Sequence, residues 1–147
     1  MIRVVVDPAV VVAGFLGPEY SPAHALIEAH REGEFELVSS PRLLNDIDAV
    51  LRRPAFERQA TGGRALEFIE HLADAALFVD DPYDLPRLTA DRHHDLLVAV
   101  ARAGGSRFLV TADHELLRSF VHGVTIVTIE EFLAGLDRVE QLLAPAS

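Results

Sequence analysis

Short apolar runs of four or five residues alternate along the chain with longer segments of helical periodicity. Residues 2–6 (Ile-Arg-Val-Val-Val) are typical of a buried strand. Similar runs lie at residues 35–38, 107–110 and 124–127. Strands that alternate with helices form a parallel sheet covered by helices. The sequence therefore predicts an α/β fold, a three-layer α/β/α sandwich with a short parallel sheet.

Serine–proline pairs and glycines mark the ends of the predicted helices. Ser21-Pro22 and Ser40-Pro41 each place a capping serine before a proline at the first helical position. The predicted helices are 10–15, 22–33, 41–52, 64–77, 91–103, 113–120 and 130–136, with a short helical piece that begins at Pro54.

The chain of 147 residues is the size of one domain. We place this domain at residues 1–136 and expect a weakly structured C-terminal tail at residues 137–147.

The chain contains neither cysteine nor lysine, and this excludes several classes of site. The absence of cysteine excludes disulfides, thiol nucleophiles, iron–sulfur sites and cysteine-based zinc fingers. The absence of lysine excludes a P-loop, a Schiff base and a pyridoxal phosphate site. It also argues against a phosphoryl-accepting receiver domain, which normally uses a lysine beside its aspartates.

The N-terminal apolar run does not have the properties of a membrane segment. Asp7 and Pro8 interrupt it, and it is too short to cross a bilayer. It also lacks the basic region and uninterrupted apolar stretch of a signal peptide. We therefore expect a cytoplasmic protein with no membrane association.

Five aspartates fall where an open parallel sheet places its ligand crevice, outside the carboxyl ends of the strands. Asp7 follows the first strand, Asp113 follows the strand at 107–110, Asp91 and Asp95 begin a helix, and Asp46 lies in a helix after the second strand. Turn or helix-cap roles would explain Asp7, Asp91 and Asp113 without a function, and a solvated helix edge would explain Asp46. Asp95 has apolar neighbours, so we expect its carboxylate to be partly desolvated.

Carboxylates that converge on one crevice repel each other, and a bound divalent cation removes that penalty. Oxygen ligands favour Mg²⁺ or Mn²⁺. Such an ion can polarise a phosphate and lower the pKa of an attacking water. The pattern therefore favours metal-dependent phosphodiester hydrolysis.

Four segments, in order, resemble the PIN-domain ribonucleases and in particular their toxin-like, VapC-like branch. Val-Val-Val-Asp-Pro-Ala at residues 4–9 resembles a hydrophobic strand followed by Asp-Thr-Asn. Residues 35–54 are similar to the strand–Ser-Pro–helix–Leu-Arg-Arg-Pro segment of the family. Residues 91–99 resemble its Asp-Pro-x-Asp-Asp stretch before an alanine-rich helix, and residues 108–117 its Leu-Val-Thr-Gly-Asp-x-Asp-Leu-Leu. The resemblance extends from Ile2 to about Leu136.

The resemblance implies a role for each aspartate. Asp7, Asp95 and Asp113 would be metal ligands for Mg²⁺ or Mn²⁺, with Asp91 as an accessory metal ligand. Asp46 occupies a position where the family commonly carries glutamate, and it would orient or activate the attacking water. Asp7, Asp46, Asp95 and Asp113 are thus the candidate catalytic residues.

The resemblance also implies an RNA substrate, an antitoxin protein as partner and a homodimer. Hydrolysis of this type gives a 5′-phosphate and a 3′-hydroxyl. Thr111 would hydrogen-bond the site or the substrate phosphate, and Arg52 and Arg53 would bind RNA. The two arginines belong to an arginine-containing segment, which is either a solvated surface of mixed charge or a surface that binds RNA phosphates.

The net charge of −10 repels nucleic acid at long range, although the site acids account for about half of this charge.

Two departures from the family pattern bear on activity. Pro8-Ala9 stands where the family has Thr-Asn, and His94 replaces an acid beside Asp95. Loss of supporting polar groups can cost one or two orders of magnitude in metal affinity. The alternative function is therefore a catalytically weakened PIN fold that binds RNA or protein.

A histidine metal site is a further alternative. His93 and His94 offer imidazoles that suit Zn²⁺ or Mn²⁺. Adjacent residues on a helix point apart, however, and the sequence contains no His-x₃-His pair. This argues against a shared metal site at the two histidines.

Overall fold

The computed structural model describes the backbone of residues 1–143 and the side chains of residues 1–139. The strands are β1 (Arg3–Val6), β2 (Glu36–Ser39), β3 (Leu77–Phe78), β4 (Phe108–Val110) and β5 (Thr125–Val127). The helices are α1 (Pro8–Leu16), α2 (Pro22–Arg31), α3 (Pro41–Leu51), α4 (Arg64–Ala75), α5 (Arg92–Ala103), α6 (His114–Arg118) and α7 (Ile129–Leu143), with a 3₁₀ turn at Pro54–Phe56. None of the helices in this described part is long and apolar enough to span a bilayer.

The five strands form one parallel sheet in the order β3-β2-β1-β4-β5. The chain adds β2 and β3 on one side of β1, and β4 and β5 on the other side. In open α/β sheets the ligand crevice lies where the strand order reverses in this way. That position here is the carboxyl end of β1 and β4, whose last residues, Val6 and Val110, are in register.

Helices cover both faces of the sheet, as the sequence predicts. Val4 and Val6 pack on one face in a core with residues of α1, α2, α3, α4 and α7. Val5 points to the other face and packs with residues of α5 and α6. Successive strand residues point to opposite faces, so the apolar run of β1 contributes to both cores. This confirms the three-layer α/β/α sandwich.

The serine caps are confirmed, and they fix where α2 and α3 begin. Ser21 Oγ accepts from the backbone N–H of His24 at 3.2 Å. Ser40 Oγ accepts from the N–H of Leu43 at 3.4 Å. Prolines follow both serines at the first helical position. Helix α3 therefore begins at the carboxyl end of β2, on the same edge of the sheet as the carboxyl end of β1.

Several predicted boundaries differ from the structure by one or two residues, and two further differences change the type of element. The helix predicted to reach Leu77 ends at Ala75, because Leu77 and Phe78 form β3 and pair with β2. A strand of two residues is too short to give a periodic signal. The last helix, predicted to end at Leu136, continues to Leu143, so residues 137–143 of the predicted tail are helical. They contain no proline or glycine to stop the helix. Residues 144–147 lie outside the described residues.

Candidate active site at the carboxyl end of the sheet

Asp7 and Thr111 are in contact where β1 and β4 end. The N–H of Asp7 donates to the carbonyl oxygen of Val110 at 2.9 Å, which continues the pairing of the two strands by one residue. The Thr111 hydroxyl donates to Asp7 Oδ2 at 2.9 Å. Both side chains are buried. A carboxylate is therefore held at the edge of the sheet by a hydroxyl from the neighbouring strand.

Asp113 joins this arrangement through the same hydroxyl. Its backbone N–H donates to Thr111 Oγ1 at 3.1 Å. Asp113 Oδ1 accepts from the N–H groups of Glu115 and Leu116 and caps α6. The cap role considered from the sequence is thus correct for one carboxylate oxygen. The second oxygen, Oδ2, makes a different contact.

Two histidines from the first turn of α5 face these carboxylates. His94 Nε2 lies 3.3 Å from Asp113 Oδ2. His93 Nε2 lies 3.6 Å from Asp7 Oδ1. The ring centroids of the two histidines are 6.3 Å apart. The side chains do point apart, as adjacent helical residues must, but Asp7 and Asp113 are themselves separate and each receives one imidazole.

The contact between Asp7 and His93 changes the pKa of both groups. Burial raises the pKa of Asp7, but the interactions with His93, Thr111 and the Ala9 N–H outweigh it and give a net lowering. The pairing with Asp7 raises the pKa of His93 against the opposing effect of burial, and the charges of Asp46 and Asp91 add to the increase. The geometry therefore favours a charged carboxylate beside a charged imidazole.

The pKa of Asp113 is also lowered, mainly by the backbone hydrogen bond from Leu116. Partial desolvation opposes this, while the Glu115 N–H and the charge of His94 support it. The Asp113 carboxyl is therefore ionised at neutral pH. Its side chain is exposed, and one of its oxygens is fixed by the helix cap. An anion held in one orientation is suited to bind a cation.

Among the described residues, one group of potential metal ligands consists of His94, Asp113 and Glu115. One ligand atom from each lies within 4.8 Å of the others. His94 is 4% exposed, whereas the two acids are exposed. The donor set is thus one imidazole nitrogen and two carboxylates.

A cleft of about 540 Å³ lies beside Asp7. Asp46, His93 and Arg53 line it together with apolar residues of α1 and α3. Asp46 lies in the second turn of α3 and is half-buried. The structure therefore brings Asp46 and Arg53 into the same cleft as Asp7.

Arg52 and Asp91, two other predicted site residues, have contacts of their own. Arg52 Nε donates to Asp48 Oδ2 at 3.0 Å across one turn of α3. It lines a neighbouring cleft of about 530 Å³, which also contains Arg53. Asp91 Oδ1 accepts from the N–H of His93 at 2.7 Å and caps α5. Asp91 thus positions the turn that carries the two histidines.

Asp95, predicted as a metal ligand, is engaged by the loop that precedes α5. Its Oδ1 accepts from the N–H groups of Leu88 and Thr89 and from the Thr89 hydroxyl. Its Oδ2 accepts from Arg92 Nη1 at 3.3 Å. The side chain is fully buried. The structure does not bring Asp95 into the group formed by His94, Asp113 and Glu115.

The pKa of Asp95 agrees with its role as the acceptor that holds the loop at Leu88 and Thr89. Burial raises the pKa of its carboxyl, but the hydrogen bonds from Thr89 and Leu88 and the charge of Arg92 lower it below the ordinary value. The predicted desolvation is confirmed. Its cause is the loop folded over the first turn of α5.

Sequence reasoning missed Glu115 and gave the histidines little part in the site. The signal for Glu115 is its position two residues after Asp113, in the first turn of α6. For His94, the signal is the departure from the family pattern itself. A histidine at a position where relatives carry an acid retains the ability to bind a metal ion.

Pro8 and Ala9 stand where the family pattern has Thr-Asn, and the backbone of this segment still supports Asp7. Pro8 is the first residue of α1, and Asp7 is its N-cap. The N–H of Ala9 donates to Asp7 Oδ1 at 3.2 Å. Backbone groups and Thr111 thus support Asp7, although the hydroxyl and amide side chains next to it are lost.

A further cavity of about 240 Å³ lies between α1, α2 and α4. Phe15, His24, Arg64 and His71 are among its lining residues. None of the predicted site residues lines it. It is separate from the arrangement at the end of the sheet.

Comparison with known proteins identifies the family. Residues 3–115 match the family model described as PIN domain. The matched residues include every strand except β5. They also include Asp7, Thr111 and Asp113. The chain belongs to the PIN domain family.

Solved structures agree on the fold. PAE2754 from Pyrobaculum aerophilum superposes with a TM-score of 0.59 at 18% identity, over 94% of this chain and 90% of that one. VapBC2 from Rickettsia felis, bound to a DNA fragment from their promoter, contains a chain that superposes with a TM-score of 0.57 at 10% identity, over 86% of this chain and 98% of that one. None of the curated proteins matches the chain significantly.

Proposed function

We propose that this protein is a divalent-metal-dependent endoribonuclease and the toxin component of a toxin–antitoxin pair. The observation that carries the proposal is the contact network of Asp7, Thr111 and Asp113 at the carboxyl ends of β1 and β4. It lies beside a cleft that contains both an acid and an arginine. Membership of the PIN domain family supports the same chemistry.

The residues present fit a divalent ion. Asp113 presents an ionised carboxylate with one oxygen fixed by the α6 cap, and His94 and Glu115 place further donor atoms next to it. Asp113 would hold the ion at this edge together with these two residues, and Asp7 would contribute a further carboxylate from the end of β1. When bound, the ion supplies positive charge that polarises the scissile phosphate and lowers the pKa of the attacking water.

The other residues position the reactants. Thr111 holds the Asp7 carboxylate through its hydroxyl. Asp46 lies in the cleft and orients the attacking water, while Arg53 binds a phosphate of the RNA. The expected products carry a 5′-phosphate and a 3′-hydroxyl. Asp95 and Asp91 act through the loop and the turn that they hold.

Arg53 lines the cleft and supplies positive charge there, although the net charge of the protein is unfavourable for RNA binding. At −10 the protein repels RNA at a distance, so local cations must hold the phosphates. Arg53 lines both neighbouring clefts, which makes it the arginine that connects them. Arg52 extends the surface, although Asp48 partly neutralises it.

The proposed partner is a small antitoxin protein, and the proposed assembly includes a homodimer. The VapC-like sequence pattern and the structural similarity to a chain of VapBC2 support the partner. Expression of the toxin alone is expected to arrest growth, and co-expression of the protein encoded next to it is expected to restore growth. Light scattering of the purified protein tests the dimer.

Cleavage of RNA by metal-free protein, with and without added Mg²⁺ or Mn²⁺, tests the nuclease. Cleavage should require the ion and should fall by at least about 100-fold in Asp7→Asn and Asp113→Asn. Asp74→Asn, an exposed acid on α4, is the matched control. Equal cleavage by all four proteins would contradict the proposal.

The second candidate is the weakened binding module. The pairing of Asp7 with His93 favours it, because an imidazolium already compensates the charge that an ion would compensate. RNA binding without cleavage, at any ion concentration, would select this candidate over the nuclease.

A further inference from the structure

The group of ligands at Asp113 contains an imidazole, whereas the sequence predicts a site made of acids. His94 Nε2 lies 3.3 Å from Asp113 Oδ2, and a Glu115 carboxylate oxygen completes a group whose atoms lie within 4.8 Å of one another. His94 is held by the packing of α5, since its side chain is almost completely buried. A fixed nitrogen donor thus faces two carboxylates.

We infer that His94, Asp113 and Glu115 bind a transition-metal ion of the Mn²⁺, Co²⁺ and Zn²⁺ class in preference to Mg²⁺. Imidazole is a good ligand for these ions, whereas Mg²⁺ takes oxygen ligands in a near-ideal octahedron and loses its waters reluctantly. The inference rests on the proposed function for what the ion does, but not for whether the ion binds.

The separation of one pair of ligand atoms agrees with such an ion. Ligands arranged tetrahedrally at about 2.0–2.1 Å from Zn²⁺ lie about 3.3–3.4 Å from one another. The distance between His94 Nε2 and Asp113 Oδ2 is 3.3 Å. Three protein ligands also leave a fourth position for water or a phosphate oxygen, as in catalytic zinc sites.

The hydrogen bonds of one Asp113 oxygen restrict how this carboxylate can bind an ion. Oδ1 accepts two backbone hydrogen bonds at the start of α6, at 2.9 and 3.2 Å. Oδ2 is therefore the oxygen directed at His94 and available to an ion. Because Glu115 lies in the same helical turn, the cap of α6 fixes two of the three ligands relative to each other.

The competing interpretation is a simple ion pair between protonated His94 and Asp113. Calorimetry on the metal-free full-length protein separates the two, with MnCl₂, ZnCl₂ and MgCl₂ as titrants. We expect Mn²⁺ and Zn²⁺ to bind at least about tenfold more tightly than Mg²⁺. His94→Gln and Glu115→Gln should each weaken Mn²⁺ binding by about tenfold or more. His122→Gln, an exposed histidine, should bind as the wild type does.

A spectroscopic measurement on the wild type does not depend on whether a variant folds. Pulsed electron paramagnetic resonance of the Mn²⁺-loaded protein should show coupling to an imidazole nitrogen. Equal affinities for Mg²⁺ and Mn²⁺, or a Mn²⁺ signal without nitrogen coupling, would overturn the inference. Neither measurement involves RNA, so a mixed-ligand site without cleavage would contradict only the proposed nuclease, and cleavage without the mixed-ligand site only this inference.

Discussion

The Thr111 hydroxyl donates a 2.9 Å hydrogen bond to Asp7 Oδ2 across 104 positions of sequence. It also accepts the backbone N–H of Asp113 at 3.1 Å. One buried hydroxyl therefore connects the acid after β1 with the acid after β4. The pairing of these two strands makes the connection possible, because it brings their carboxyl ends side by side.

Thr111→Val tests this connection, since valine keeps the shape of threonine and removes the hydroxyl. The buried Asp7 carboxylate then loses a donor, and the Asp113 N–H loses its acceptor. We expect the free energy of unfolding to fall by about 1–3 kcal/mol, measured by urea denaturation. Thr125→Val, an exposed threonine of β5, is the control and should change stability by less than about 0.5 kcal/mol. Equal stability of the two variants would contradict the connection.

The pair formed by His93 and Asp7 makes stability depend on pH. The pKa of His93 is raised from 6.5, so its contribution is complete below that value and is lost as pH rises through the raised pKa. The pKa of Asp7 is lowered from 3.8, so its contribution is complete above that value and is lost as pH falls through the lowered pKa. The pair therefore stabilises the fold most between these two ordinary values.

Thermal unfolding of the wild type and His93→Gln, in buffer free of metal ions, measures this effect. The difference in Tm should be largest near about pH 5.5 and should become smaller at alkaline pH, as pH rises through the raised pKa of His93. His122→Gln should show no such pH dependence, since no described contact joins its imidazole to an acid. A difference in Tm that is the same at acidic and alkaline pH would refute the ion pair.

Asp95→Asn distinguishes a restraining carboxylate from a metal ligand. The Asp95 carboxylate accepts hydrogen bonds from Leu88, Thr89 and Arg92, and asparagine replaces one of its two acceptor oxygens with an NH₂ donor. We therefore expect the free energy of unfolding to fall by about 1.5–3 kcal/mol. Hydrogen exchange of the Leu88 and Thr89 amides should accelerate. Metal affinity should be unchanged. A tenfold or larger loss of affinity with unchanged exchange would instead restore the ligand role predicted from the sequence.

Arg53→Gln tests the phosphate contact in the cleft. RNA binding is measured in an Asp7→Asn background, so that the substrate stays intact. Affinity should fall for all sequences alike, and the slope of log K against log salt should decrease by about 0.7 for single-stranded RNA. Arg58→Gln, an exposed arginine outside the cleft that contains Asp7, should leave the slope unchanged. An unchanged slope in Arg53→Gln would remove this residue from the RNA surface.

The sequence by itself determined the layers of the fold and the approximate positions of most elements. Alternating apolar strands and capped helices specify a parallel sheet between helices, because each pattern can bury its apolar side chains in only one way. Ser21 and Ser40 form hydrogen bonds within one helical turn, so the local sequence was enough to predict their roles. The local sequence was not enough to predict β3, since its two residues form a strand only by pairing with β2.

Only the tertiary structure decided which polar side chains meet. Asp7 and Thr111 could be placed at one edge of the sheet from strand order, but their hydrogen bond depends on the register of β1 with β4. Asp95 has the sequence context of a ligand, yet a loop folds over it and takes its oxygens. His94 reaches Asp113 because α5 packs its first turn against that edge. Periodicity fixes the face on which a side chain lies, whereas its partners depend on how distant segments pack.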